Sequence, residues 1–394
     1  MPIPTIPDDR LRAVVRELAR PLREISLTVD RDPARLPRLV RETLPWRQLA
    51  GLPAACRPAP LRVDGRSVTG ESCSEQTVIW EELARADAGV ALGLPGPVMS
   101  GRVVAELADT AQRERYYDLL AGPEPVWTFF GMTEPAHGSD PASMRTTLTE
   151  DPDSPDGGLR LTGTKRFIGN GVRAAIGVLF ARRRAGPLGL TAVLLETSRP
   201  GFAAVPLDTL GVRGLELSEL RLSGVPVAED DVLGQHLSAT RRGMWAAVRT
   251  FNRFRPVVAA LALGVAQAAH EYAEEHLRAT PDASRGYRAH GFGDQLAGVR
   301  AMVRAAALAA DHDPGAGTAA SAAKLRATRL AEELTVAAAR ALGPGGRWEH
   351  PLLDKWVRDA RAFEFMEGTS NVQRLGIAQG GLQKRAGDGH ADAA

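Results

Sequence analysis

The stretch FEFMEGTSNVQRLGIAQ, residues 363–379, sets one carboxylate, Glu367, between an apolar run and a Gly-Thr-Ser turn. Two readings compete. As a helix start, Ser370 or Thr369 caps the apolar-periodic NVQRLGIAQ, and an acid sits near the positive end of the helix dipole. As chemistry, the same carboxylate is a catalytic group. Taken alone these residues favour the cap, because caps are common and catalytic carboxylates are not.

Working outward, the 394-residue chain is too long for one simple core, and two or three packed units are expected. The net charge of +2 and the scattered arginines do not indicate a nucleic-acid or anionic-membrane surface, so small-molecule chemistry is expected. The two cysteines, Cys56 and Cys73, form no CxxC or Cys/His cluster, which argues against a disulfide scaffold and a structural zinc site. The eight histidines lack metal-ligand spacing, and no metal is expected. The start MPIPTIPDDRLRAVVREL lacks a basic region followed by an apolar core, and the run PVVAALALGVAQAA is too short to span a bilayer. A soluble, cytoplasmic protein is expected.

Three textures succeed one another. Residues 1–125 read as an N-terminal α-helical domain, with CSEQTVIWEELARADAG a capped helix closed by Gly89 and VVAELADTAQRERYYDLLAG a second helix. Residues 126–235 break into short β-type runs with turn signals and read as a β-barrel or sandwich, in which Asn170-Gly171 is a hairpin-type turn. Residues 236–380 return to long Ala-rich amphipathic patterns that pack most simply as a four-helix bundle. Residues 381–394 are polar and Gly/Ala-rich, and a loosely ordered tail is expected. The fold class is thus α+β, multidomain.

Inside this order stand MTEPAHGSD (132–140), LTGTKRFIGNG (161–171), RPVVAALALGVAQAA (255–269), FGDQL (292–296) and RDARAFEFMEGTSNVQRLGIA (358–378). In order and spacing they resemble the motifs of acyl-CoA dehydrogenases over about residues 75–380. The resemblance implies a flavoprotein binding FAD between the β domain and the C-terminal bundle. It implies that Met132, Thr133 and Ser139 contact the cofactor, Thr133 at the flavin edge and Ser139 at the pyrophosphate. It implies further that Phe167 packs on the isoalloxazine, that Gly169 lies beside flavin N5, and that Arg288, Phe292, Thr369 and Asn371 reach FAD. Asn252, Arg255, Met366 and Gly368 match positions on the substrate side, and Glu367 matches the base that removes the α proton while N5 accepts the β hydride.

Departures from the pattern matter as much. Gly169 stands where the family usually carries Thr or Ser, so a hydroxyl is missing and room for dioxygen is expected beside N5. Asn252 replaces the usual Asp, Met366 the frequent Tyr, and Ala91 lies about where a glutaryl-directed subgroup has Arg. These suggest a thioester other than a free fatty acyl-CoA, resembling carrier-protein-directed members linked to polyketide extender units. Three functions stay open: an acyl-CoA or acyl-carrier-protein dehydrogenase passing electrons to an electron-transfer flavoprotein, an oxidase or oxygenase using dioxygen, and a non-catalytic scaffold. A homodimer or homotetramer is expected by the same resemblance.

Overall fold

The computed structural model describes residues 8–49, 61–151, 158–315 and 317–391. Cys56 and most of the early Pro-rich segment therefore lie outside the described residues.

The N-terminal part holds α1 (Asp8–Arg31), α2 (Leu36–Thr43), α3 (Trp46–Leu49), a hairpin of β1 (Arg62–Val63) and β2 (Arg66–Ser67), then α4 (Cys73–Leu92), α5 (Val98–Leu107) and α6 (Thr110–Ala121). Ser72 caps α4 by accepting the N–H of Glu75 at 3.0 Å. The helix does not stop at Gly89: it breaks at Asp87 (φ −164°, ψ 120°) and resumes to Leu92. The second predicted helix is two, because Asp109 and Gln112 form a reciprocal capping box that starts α6 afresh.

The middle part is one eight-stranded sheet of β3 (Trp127–Gly131), β4 (Thr147–Glu150), β5 (Leu159–Ile168), β6 (Ala174–Arg182), β7 (Leu190–Glu196), β8 (Phe202–Pro206), β9 (Ser218–Val227) and β10 (Val232–Leu233). Its order is β10-β7-β6-β4-β5-β9-β8, with β3 parallel to β6. β5 pairs with β4 and β9 and has no pairing with β6, so Asn170-Gly171 is not a hairpin turn. Asn170 is left-handed (φ 59°) and buried, and its side-chain amide donates to Leu92 O at 3.2 Å, tying the turn to α4.

The C-terminal part comprises α7 (Met244–His276), α8 (Pro281–Arg288), α9 (Phe292–His312), α10 (Gly317–Ala341), α11 (Gly346–Glu349), α12 (Pro351–Ala362) and α13 (Ser370–Ala391). The stretch RPVVAALALGVAQAA is buried almost throughout because α7 packs on α4, α9, α10 and α12. A Cβ on Gly264 would lie 2.7 Å from Arg85 N and 2.9 Å from Ala84 Cβ, so glycine lets α7 touch α4 backbone to backbone. The backbone of α13 stays helical to Ala391, past residue 381, where the sequence suggested a loose tail; Leu, Gln, Lys, Arg and Ala there are all good helix formers.

Asp87 Oδ2 (α4) and Asp359 Oδ2 (α12) both lie 2.6 Å from Lys355 Nζ, all three side chains buried. Asp359 Oδ1 also accepts the N–H of Val212, in the β8–β9 loop, at 2.6 Å. One cation thus joins segments from all three parts. Removing it with Lys355→Ala leaves two buried carboxylates uncompensated, and urea denaturation is expected to show a loss of about 3–5 kcal/mol.

Candidate active site

Glu367 lies between α12 and α13 with φ 53°, in the left-handed region, and Gly368 follows at φ 95°. A Cβ at 368 would lie 2.9 Å from Gln373 Nε2, so the second position requires glycine for space as well as conformation. The carbonyls of this turn are fastened one by one. Arg255 Nε donates to Glu367 O at 3.3 Å, and Gln373 Nε2 donates to Glu367 O and Gly368 O, both at 2.9 Å. Lys324 Nζ donates to Glu364 O at 2.9 Å and Gly368 O at 2.7 Å.

The side chain of Glu367 is treated in the opposite way. Its Oε2 is buried and has no hydrogen-bond partner among the described residues. Burial pushes the carboxyl up to about 7, against the pull of Arg255 and Lys324. Lys324, itself buried, is lowered to about 8 by desolvation, with Glu364 and Glu367 raising it. A carboxylate with a raised proton affinity and a free buried oxygen has the properties of a general base.

The capping reading survives in altered form. The N–H and hydroxyl of Ser370 both donate to Glu364, at 2.8 and 2.5 Å, so a second carboxylate starts α13 and leaves Glu367 out of that role. Thr369 is half-buried, its carbonyl accepting Gln373 N–H at 3.0 Å, and Asn371 is exposed, accepting from Arg374 at 3.0 Å.

Arg255 and Asn252 lie one turn apart on α7. Arg255 Nη1 donates to Asn252 Oδ1 at 2.8 Å, while the Asn252 amide donates to Pro314 O and Gly315 O. Arg255 therefore touches the turn of the base itself. Met366 packs on the bundle core.

A second group gathers at the ends of β3 and β5. Buried Lys165 donates to Glu134 at 2.9 Å and to Met132 O at 3.1 Å, and Glu134 also accepts from Thr146 Oγ1 and the N–H groups of Arg145 and Thr146. Burial would raise the Glu134 carboxyl, but these hydrogen bonds and Lys165 outweigh it and hold it down to about 2. The pair anchors the loop that presents half-buried Thr133 and exposed Ser139, whereas Met132 faces the core. Phe167, left-handed at φ 61°, is 56% exposed beside buried Ile168. The two groups approach through α7: Phe130, two residues before Met132, meets Phe251 edge-on at 6.1 Å.

Arg288 and Phe292 make other contacts. Arg288 is an exposed partner of Glu274 at 2.9 Å, and Phe292 is buried against Tyr287 and His290. Gly169 departs most from expectation. The space beside it is taken: a Cβ there would lie 2.6 Å from Leu215 Cδ1.

Sequence reasoning missed Lys324, Gln373, Glu364 and Leu215. Lys324 did leave a signal, since it falls on the buried stripe of Ala320, Ala323, Ala327 and Ala331, where a lysine requires partners.

The chain matches the family described as acyl-CoA dehydrogenase, C-terminal domain, over residues 241–382, and the acyl-CoA dehydrogenase middle domain over 129–225. It is 30% identical to the short-chain specific acyl-CoA dehydrogenase of Megasphaera elsdenii over 75% of this chain and 78% of that one. The solved butyryl-CoA dehydrogenase of the same organism superposes with a TM-score of 0.80 at 27% identity, covering 97% of this chain and 100% of that chain. A prolyl acyl carrier protein oxidase, AnaB, shares the fold with a TM-score of 0.78 at 21% identity, covering 96% and 99%. The chain belongs to the acyl-CoA dehydrogenase family, whose members are FAD-dependent oxidoreductases acting on CH–CH bonds. No helix among the described residues is long and apolar enough to cross a membrane.

The raised carboxyl has a consequence for stability. Its folded value of about 7 exceeds the ordinary 4.5, so the stability gained by keeping it neutral is full below pH 4.5 and lost as pH rises through about 7. Glu367→Gln removes that loss. Thermal unfolding is expected to show the variant gaining on the wild type at pH 8 relative to pH 4; an equal difference at both pH values would contradict a buried, titrating Glu367.

Proposed function

We propose that the protein is an FAD-dependent acyl-thioester dehydrogenase in which Glu367 removes the proton α to the thioester carbonyl. The observation that carries this reading is the unpartnered, buried Oε2 of Glu367 on a turn whose carbonyls are fixed by Arg255, Lys324 and Gln373. A buried carboxylate oxygen without a partner is costly, and a scaffold would gain nothing from keeping one.

The residues present fit the flavin. Phe167 offers an exposed aromatic face, and the loop fastened by Glu134 and Lys165 presents Thr133 and Ser139 as neutral hydroxyl donors, Ser139 next to Gly138 where an anionic group can approach closely. When bound, FAD supplies the acceptor for the β hydride.

The protein's own part is to orient and deprotonate. An α C–H beside a thioester is a weak acid, and the backbone N–H of Glu367 is the donor assigned to the developing enolate oxygen. Arg255 and Lys324 supply positive charge to the site without bonding the carboxylate, so it keeps its basicity. Arg255 acts here as a positioning residue through Glu367 O, and Asn252 holds Arg255 in place. The acyl group arrives on CoA or a carrier protein, and electrons leave to an electron-transfer flavoprotein. Leu215 fills the place beside Gly169, which favours the dehydrogenase reading over the dioxygen alternative.

Anaerobic mixing of the flavin-loaded protein with acyl-CoA and acyl-carrier thioesters tests the assignment. Glu367→Gln is expected to keep its flavin and bleach about 10²–10⁴-fold more slowly than the wild type. Bleaching by the wild type should accelerate as pH rises through about 7. Wild-type bleaching rates in the variant would remove Glu367 from the mechanism.

Lys324→Met tests the support of the turn. It is expected to lower the bleaching rate constant more than thioester affinity and to shift the pH midpoint of bleaching upward, since a charge that favours the carboxylate is lost. An unchanged midpoint would reduce Lys324 to a purely structural role.

A further inference from the structure

Gly169 and Leu215 come from different segments, yet they occupy one side-chain place. A Cβ built on Gly169 would lie 2.6, 3.1 and 3.5 Å from Leu215 Cδ1, Cγ and Cδ2. The leucine reaches that position from a turn, Arg213–Leu215, flanked by two left-handed residues that are not glycine, Val212 (φ 45°) and Glu216 (φ 48°). For β-branched valine this is an unfavourable backbone, and such strain persists only where the surroundings impose it.

The surroundings do impose it. Val212 N–H donates to Asp359 Oδ1 at 2.6 Å, and Gly214 O accepts from Arg173 at 3.2 Å while Arg173 also pairs with Glu216. Leu215 O accepts Asn170 N–H at 2.8 Å, one residue beyond Gly169. A Cβ on Gly214 would lie 2.5 Å from Gly89 O, so α4 presses the turn from behind. The buried lysine that binds Asp87 and Asp359 is thereby tied to this turn through Asp359 and the Val212 N–H.

Phe167 is exposed and Ile168, the last residue of β5, is buried; Gly169 follows at once in the turn, two residues along the chain from Phe167. Leu215 joins the bundle cluster that also includes Met366, the residue before the base. We infer that Leu215 supplies from a neighbouring loop the side chain absent at Gly169. It forms an apolar wall beside the Phe167 face that limits access of dioxygen to a reduced flavin lying there. The inference rests on the flavin reading above, and it makes Leu215 a determinant of which electron acceptor the protein serves.

The test uses the holoprotein reduced anaerobically with dithionite, so neither the acyl substrate nor Glu367 enters. On stopped-flow mixing with air-saturated buffer, Leu215→Ala is expected to recover its visible flavin band about tenfold faster than the wild type, with Leu215→Val between them. Should the alanine variant fail to fold, the valine variant carries the comparison. The double variant Gly169→Ala/Leu215→Ala should return toward the wild-type rate, because the methyl group refills the place.

Melting temperatures give a readout independent of oxygen. Gly169→Ala alone should melt well below the wild type and be rescued by Leu215→Ala, the two effects failing to add. Equal reoxidation of wild type and both Leu215 variants, or additive melting shifts, would overturn the inference. A purified wild type without flavin would instead sink the flavin reading on which it stands.

Discussion

The site depends on an asymmetry in how one turn is bonded. The carbonyls of Glu364, Glu367 and Gly368 are held by donors from α7, α10 and α13, while Oε2 of Glu367 is left without any. If those cations bonded the carboxylate instead, its proton affinity would fall and it would cease to be a base near neutral pH. Directing them to the carbonyls uses the same charges to fix geometry. The left-handed conformation of Glu367 follows from that arrangement, for three helices specify where its backbone must lie.

Strain is distributed in the same spirit. Phe167, Val212, Glu216 and Glu367 are all left-handed without being glycine. Three of them are held by neighbours: Glu367 by Arg255 and Gln373, Glu216 by Arg173, Val212 by Asp359. The cost is borne by interfaces between segments far apart in sequence, which is why no local pattern announces it.

The architecture was legible because its signals are periodic or local. Ala-rich stripes at helical spacing, short β runs between turn residues, and a carboxylate in an apolar run can each be read from consecutive residues. What escaped reading was long-range. Nothing in GNG says that Asn170 binds α4 and makes no hairpin, nor that the gap at Gly169 is filled by a leucine from beyond three further strands. The break at Asp87 was harder to read, since one oxygen of its side chain accepts the Val90 N–H and the other meets a lysine on α12. Lys324 could have been found, because a charge on an alanine stripe contradicts the pattern that surrounds it. Its partners could not, for they are backbone carbonyls and carry no sequence identity.

The lysine shared by Asp87 and Asp359 also constrains how the chain can be made. Asp87 leaves the ribosome long before Lys355, so through most of synthesis α4 carries a carboxylate whose counter-charge does not yet exist. Burying Asp87 as a carboxylate without Lys355 is costly. The kinked helix therefore shares one charge balance with a segment more than 260 residues further on, and the β8–β9 turn is tied into it through the Val212 N–H on Asp359.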